Sequence, residues 1–138
     1  MNPTAMAFLG YISLMLVLLF TLAGYRAALT LSGKRAANSF SPTGEDVSEI
    51  SKRLCRAHAN CYEAFPMVGG ILLFALATNN TAITDPLAII LIVARLLQSV
   101  THLASTSVFA VYLRFTFFVV QLAIIIYWIL LFFGHLPI

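Results

Sequence analysis

The chain has 138 residues, 61% of them hydrophobic and only 9% charged, where soluble domains carry roughly 25% charged residues. That balance excludes an ordinary water-soluble domain, and the length leaves room for one domain only. The formal charge of +3 comes from basic residues that flank or enter apolar runs; they form no separate patch, so nucleic acid is not an expected partner.

Four apolar runs are each long enough to cross a bilayer, which takes about 20 residues. They lie at 4–29, 50–78, 86–103 and 108–133 and predict an all-α integral membrane protein, a four-helix transmembrane bundle. No basic residue precedes the first run and no convincing small-residue cleavage site follows it. It reads as a retained helix and not as a secretion signal. Arg26 sits at its end, where a snorkelling anchor and a ligand-binding arginine are both open readings.

Residues 32–48 carry Gly33, Pro42 and Gly44 among Ser, Thr and Asn, a turn-forming composition that reads as a connector or as a cap over a site. Asp46 and Ser48 are candidate caps for the second helix, with Glu49 in or near its first turn.

The second helix holds the most informative stretch. Arg53, Arg56, Asn60 and Glu63 recur at steps of three, four and three residues, which places them on one helical stripe. Counting back from residue 78, Asn60 and Glu63 fall inside the bilayer and Arg56 near the headgroups. Pro66 is expected to kink the helix or free a carbonyl, and Gly69 and Gly70 permit close packing. Cys55 and Cys61 point in different directions from one helix and are not expected to bridge.

Asn79-Asn80-Thr81 reads as a turn, and Asp85-Pro86 as the start of the third helix. Arg95, Gln98 and His102 share a face of that helix. An arginine at mid-membrane costs at least ~2.5 kcal/mol and must face a partner. Glu63 is the only carboxylate in a predicted span, so an Arg95–Glu63 pair, within or between subunits, is expected; a purely structural ion pair is the plainer reading of it. On the fourth helix Arg114 and Gln121, seven apart, share a face, while Tyr127 and Trp128 suit an interfacial belt. His135 has no evident role.

The first and third loops have basic residues in or beside them and the second has none. The first and third are therefore expected to be cytoplasmic, with both termini on the opposite side. In the polar inventory (Arg53, Arg56, His58, Asn60, Glu63, Arg95, Gln98, His102, Arg114 and Gln121) cations outnumber carboxylates, which favours an anionic ligand. His58, Cys61, Glu63 and His102 are metal-ligand types, but the surrounding positive charge argues against a metal site.

The stretch Arg56-Ala57-His58-Ala59-Asn60-Cys61-Tyr62-Glu63-Ala64-Phe65-Pro66 resembles the second-helix signature of the MAPEG family, membrane-associated proteins in eicosanoid and glutathione metabolism. Residues 34–42, from Lys34-Arg35 to Ser41-Pro42, resemble its bacterial branch, which implies a bacterial inner membrane. The resemblance implies a homotrimer of four-helix subunits, with glutathione as co-substrate between neighbours and a lipophilic partner arriving from membrane lipid. Arg56, Asn60 and Glu63 match glutathione-binding positions, and Arg53 and His58 match flanking ones. Arg26 resembles a helix-one arginine that reaches a glutathione carboxylate. Arg95, Gln98 and His102 are assigned to binding, and Arg114 matches the arginine that stabilises the thiolate.

Two departures matter. Catalytic members often carry His and Tyr three and seven residues after the helix-three arginine, where this chain has Gln98 and His102. The residue after Arg114 is Phe115, where one member has serine. The eukaryotic substrates therefore do not transfer. The resemblance implies a glutathione-dependent transferase or peroxidase, and the alternative is a non-catalytic lipid-binding protein of the same fold.

Overall fold

The computed structural model describes residues 1–135, which form α1 (Pro3–Leu31), α2 (Glu49–Ala77), α3 (Thr81–Ala104) and α4 (Val108–His135). Each helix is long and apolar enough to span a membrane. At ~1.5 Å per residue even the 24-residue α3 exceeds the ~30 Å hydrocarbon core.

At its start, α1 is tied to α3. Asn2 caps the helix by accepting from the Ala5 amide at 2.8 Å, and Pro3 occupies the first turn, where a missing N–H costs nothing. Asp85 then accepts from the Thr4 amide at 3.0 Å and the Thr4 hydroxyl at 2.6 Å. The fully buried Thr4 and Thr84 hydroxyls meet at 2.6 Å. This explains why α3 begins at Thr81 and not at the expected Asp85-Pro86. Asn79, at φ 56°, makes the turn, a left-handed conformation that Asn tolerates better than most residues. Pro86 therefore lies inside the helix, past its first turn, without ending it, and Asp85 serves α1.

The loop after α1 is folded around Arg35. Its guanidinium donates to Ser39 O at 2.7 Å and to Asp46 Oδ2 at 2.6 Å, the one ion pair among the described residues. Asp46 therefore serves the loop, and Ser48 caps α2 by accepting from the Ser51 amide at 3.0 Å. The Arg35 hydrogen bond holds the Asp46 carboxyl below its ordinary 3.8, helped by the Ser41 amide. A lowered native pKa means this link is intact above the ordinary value and is lost as pH falls through the native one. Cleavage of the loop by an acid protease should thus rise more steeply below about pH 3.8 than in Asp46→Asn. Matching profiles for the two proteins would remove Asp46 as the cause.

Gly44 seats the loop on α2. It is buried with φ +70°, and a Cβ there would lie 2.7 Å from Ser51 Oγ and 2.8 Å from Cys55 Sγ. Both the left-handed backbone and the absent side chain are needed. Gly44→Ala is expected to cost about 2 kcal/mol, read as a lower thermal midpoint in detergent; an unchanged midpoint would mean the loop gives way freely.

The helices α1, α2 and α3 all touch one another, whereas α4 packs along α3, meets α2 only slightly and does not touch α1 among the described residues. The core runs through Tyr11, Leu18, Leu54, Cys61, Leu72 and Leu91, with Ile124 and Trp128 from α4. Gly69 is small because the Phe65 ring lies across it, 2.6 Å from where a Cβ would sit. That ring is stacked with Phe8 and tilted against Tyr11. Pro66 lies inside α2 without ending it. Trp128 corrects the interfacial expectation: it is 0% exposed and packed in the core, while Tyr127 faces outward. Two adjacent helical residues point about 100° apart, so one aromatic turns in and the other out.

Candidate functional site

A continuous polar seam crosses the apolar bundle. Arg95, 1% exposed, donates from Nη1 to Asn60 Oδ1 at 2.7 Å. Its guanidinium carbon lies 5.4 Å from the centre of the Tyr11 ring, a cation–π contact. The Tyr11 hydroxyl in turn donates to the Cys61 carbonyl at 2.7 Å, in the stretch of α2 just before Pro66. Gln98 donates to the same Asn60 oxygen at 3.1 Å. Gln121, also 1% exposed, donates to Gln98 Oε1 at 2.8 Å and to the Phe117 carbonyl at 2.9 Å. Each of the four helices thus contributes to one hydrogen-bonded core, and Asn60 is its hub.

This arrangement corrects the expected Arg95–Glu63 pair within a subunit. Glu63 is exposed on the outer side of α2, and the buried cation is satisfied by an amide oxygen and an aromatic face. Asn60 and Glu63 share a stripe, but a step of three residues carries Glu63 about 60° round and 4.5 Å along the helix, away from α3.

Where α3 turns into α4, a cleft of about 250 Å³ opens between α2, α3 and α4. Asn60, Gln98, His102 and Arg114 line it together with Val111, Phe115 and Phe118. Arg114 Nη1 lies 3.1 Å from His102 Nδ1. A guanidinium can only donate, so Nδ1 carries no proton and His102 is the neutral tautomer with its hydrogen on Nε2. That bond fixes Arg114 against α3. With Arg95 held by Asn60 and Arg114 by His102, two guanidinium groups stand at this end of the seam.

The remaining sequence-selected residues lie apart from this cleft. Arg56 is exposed like Glu63, and Arg53 and His58 are half-buried on the same helix. Arg26 lines a second cleft of about 550 Å³ against the first loop, with Thr30, Asn38 and Phe40. Its Nη2 donates to the Ser41 carbonyl at 3.0 Å and lies 3.4 Å from Cys55 Sγ, and its guanidinium stands over the Phe40 ring. Two contributors escaped the sequence-level assignment. Tyr11 gave no distinct signal, being one of several hydroxyl residues with Thr4, Ser13, Thr21 and Tyr25 along the first run; Gln121 gave its seven-residue spacing from Arg114.

Four helices, each long and apolar enough to span a membrane, define an integral, multi-pass membrane protein, with an arginine- and amide-lined cleft between three of them. The chain belongs to the MAPEG family, whose model matches residues 4–134. Membership ties it, at the level of the family, to glutathione-related transferase or peroxidase roles or to eicosanoid metabolism in membranes. Comparison with curated proteins and with solved structures gives no match.

Proposed function

We propose that the protein is a membrane-bound, glutathione-dependent transferase or peroxidase, acting on a lipophilic electrophile or lipid hydroperoxide that enters from the bilayer. The observation that carries this reading is the cleft itself, where Arg114, braced by neutral His102, stands beside Val111, Phe115 and Phe118. A thiol of pKa near 8.5 ionises more readily next to a guanidinium, and the aromatic wall offers an apolar partner a place within reach of the sulfur. In conjugation the thiolate forms a carbon–sulfur bond and the leaving group departs with its electron pair. In peroxide reduction two thiols become a disulfide while the hydroperoxide becomes an alcohol and water.

Arg114 is assigned to thiolate stabilisation, with Asn60, Gln98 and His102 around the sulfur and Arg95 behind Asn60. Arg53, Arg56, His58 and Glu63 are assigned to the rest of glutathione, and Arg26 to a glutathione carboxylate at the loop. The exposed Arg56 and Glu63 lie on a membrane-spanning helix, where uncovered charge is costly. A neighbouring subunit in a homotrimer would cover them, with the ligand between. The basic residues of the first and third loops support a cytoplasmic site in a bacterial inner membrane, with both termini on the other side.

The test is stopped-flow ultraviolet absorbance on detergent-purified protein mixed with glutathione. A stoichiometric thiolate signal is the expected result. Silence with glutathione and with other low-molecular-weight thiols would replace this reading with a non-catalytic lipid-binding protein of the same fold.

A further inference from the structure

The three amides of the polar seam, Gln98 and Gln121 buried and Asn60 half-buried, have a fixed direction, and both ends of the series set it. At one end Arg95 can only donate, so the Asn60 atom at 2.7 Å from Nη1 is the oxygen. At the other end the Phe117 carbonyl can only accept, so the Gln121 atom facing it at 2.9 Å is the nitrogen. Gln98 lies between them. It must present nitrogen to the Asn60 oxygen and oxygen to the Gln121 nitrogen, as the 3.1 Å and 2.8 Å contacts require. Reversing any one amide sets two like groups against each other.

The consequence falls on the cleft. With its oxygen occupied twice, Asn60 has only its Nδ2 hydrogens left to offer. That nitrogen has no partner among the described residues and, unlike Arg95 Nε, is not sealed from the surface. Asn60 lines the cleft beside Arg114 and His102, whose available hydrogens are also donors.

We infer that Gln121 is a positioning residue: through Gln98 it works with Arg95 to hold Asn60 with its amide hydrogens toward the cleft, so that the amide adds donors to those of Arg114 and His102 and favours an anion such as a thiolate. The inference rests on the proposed reading of the cleft as a thiolate site for its physiological ligand, and on geometry alone for the amide direction. Gln121 acts two residues away from the ligand and never touches it. Its own Oε1 is buried without a partner, so an apolar residue of similar length would remove an acceptor that makes no bond while also unlocking Gln98.

The experiment uses the full chain, labelled with ¹⁵N-asparagine, in detergent micelles. The Asn60 side-chain amide signal is identified by its loss in Asn60→Asp and followed as thiocyanate replaces chloride at constant ionic strength. In the unaltered protein the signal is expected to move with thiocyanate concentration. In Gln121→Met the response should shrink, because Gln98 is then free to turn its oxygen toward Asn60 and compete with Arg95 for the direction of that amide. An identical response in Gln121→Met would overturn the inference, as would an Asn60 amide indifferent to thiocyanate in the unaltered protein. Should Gln121→Met not fold, Gln98→Glu replaces it: the carboxylate gives Arg95 a counter-ion and turns the Asn60 hydrogens inward, so the thiocyanate response should vanish; a retained response overturns the inference. A protein that responds to thiocyanate but gives no thiolate signal with glutathione would keep the amide relay and sink the glutathione reading alone.

Discussion

Arg114→Ala is expected to lower the rate of thiol conjugation or peroxide reduction about 10²–10³-fold, the loss typical when one preorganised donor to a reacting anion is removed. Binding of intact glutathione should weaken much less, because the assigned contacts through Arg56, Asn60 and Glu63 remain. The separation follows from position: Arg114 lines the cleft and is braced by the Nδ1 of His102, while Arg56 and Glu63 lie on the outer side of α2. Stopped-flow thiolate absorbance and equilibrium binding, measured on the same variant, check it. Equal losses in the two measurements would reduce Arg114 to a binding residue. Arg114→Lys retains charge but not the planar fork that meets both ligand and imidazole, so it should recover only part of the thiolate signal.

Asn60 carries the second large effect, and its two substitutions should divide stability from binding. Asn60→Leu leaves the 1%-exposed Arg95 facing hydrocarbon and the Tyr11 ring. The lost partner of a buried charge is expected to cost about 3 kcal/mol, read as a fall in the thermal midpoint. Asn60→Asp keeps an oxygen for Arg95 and Gln98 and supplies a true counter-ion, so its midpoint should stand well above that of Asn60→Leu. Yet it replaces the amide hydrogens at the cleft with an acceptor, and thiolate formation should fail. A stable Asn60→Leu protein would mean that Arg95 finds other partners and that Asn60 is no hub.

The helices and the polar face of α2 were legible because their signals are periodic and local. Runs of apolar residues announce spans, and a polar residue every third or fourth position announces a face. What the pattern did not disclose was which part of that face meets α3. Charge complementarity pointed Arg95 at Glu63; the packing of α1, α2 and α3 turned Asn60 inward instead. Tyr11 remained hidden because its role depends on an arginine 84 positions later in the chain. The early start of α3 was hidden for a similar reason: Asp85 beside a proline looks like a helix boundary until the Thr4 amide is seen bound to it.

The one-sided seating of α4 bears on how such a protein diversifies. The other three helices brace one another, but α4 leans on α3 alone along most of its length. Val111, Phe115 and Phe118, the apolar wall of the cleft, all belong to that outlying helix. Substitutions there can widen, narrow or reshape the wall without disturbing the Tyr11–Arg95–Asn60 centre. Arg114 and Gln121 share that helix with the wall, so new lipophilic partners can be acquired by drift at the three apolar positions while the ability to hold an anion is inherited with the polar ones.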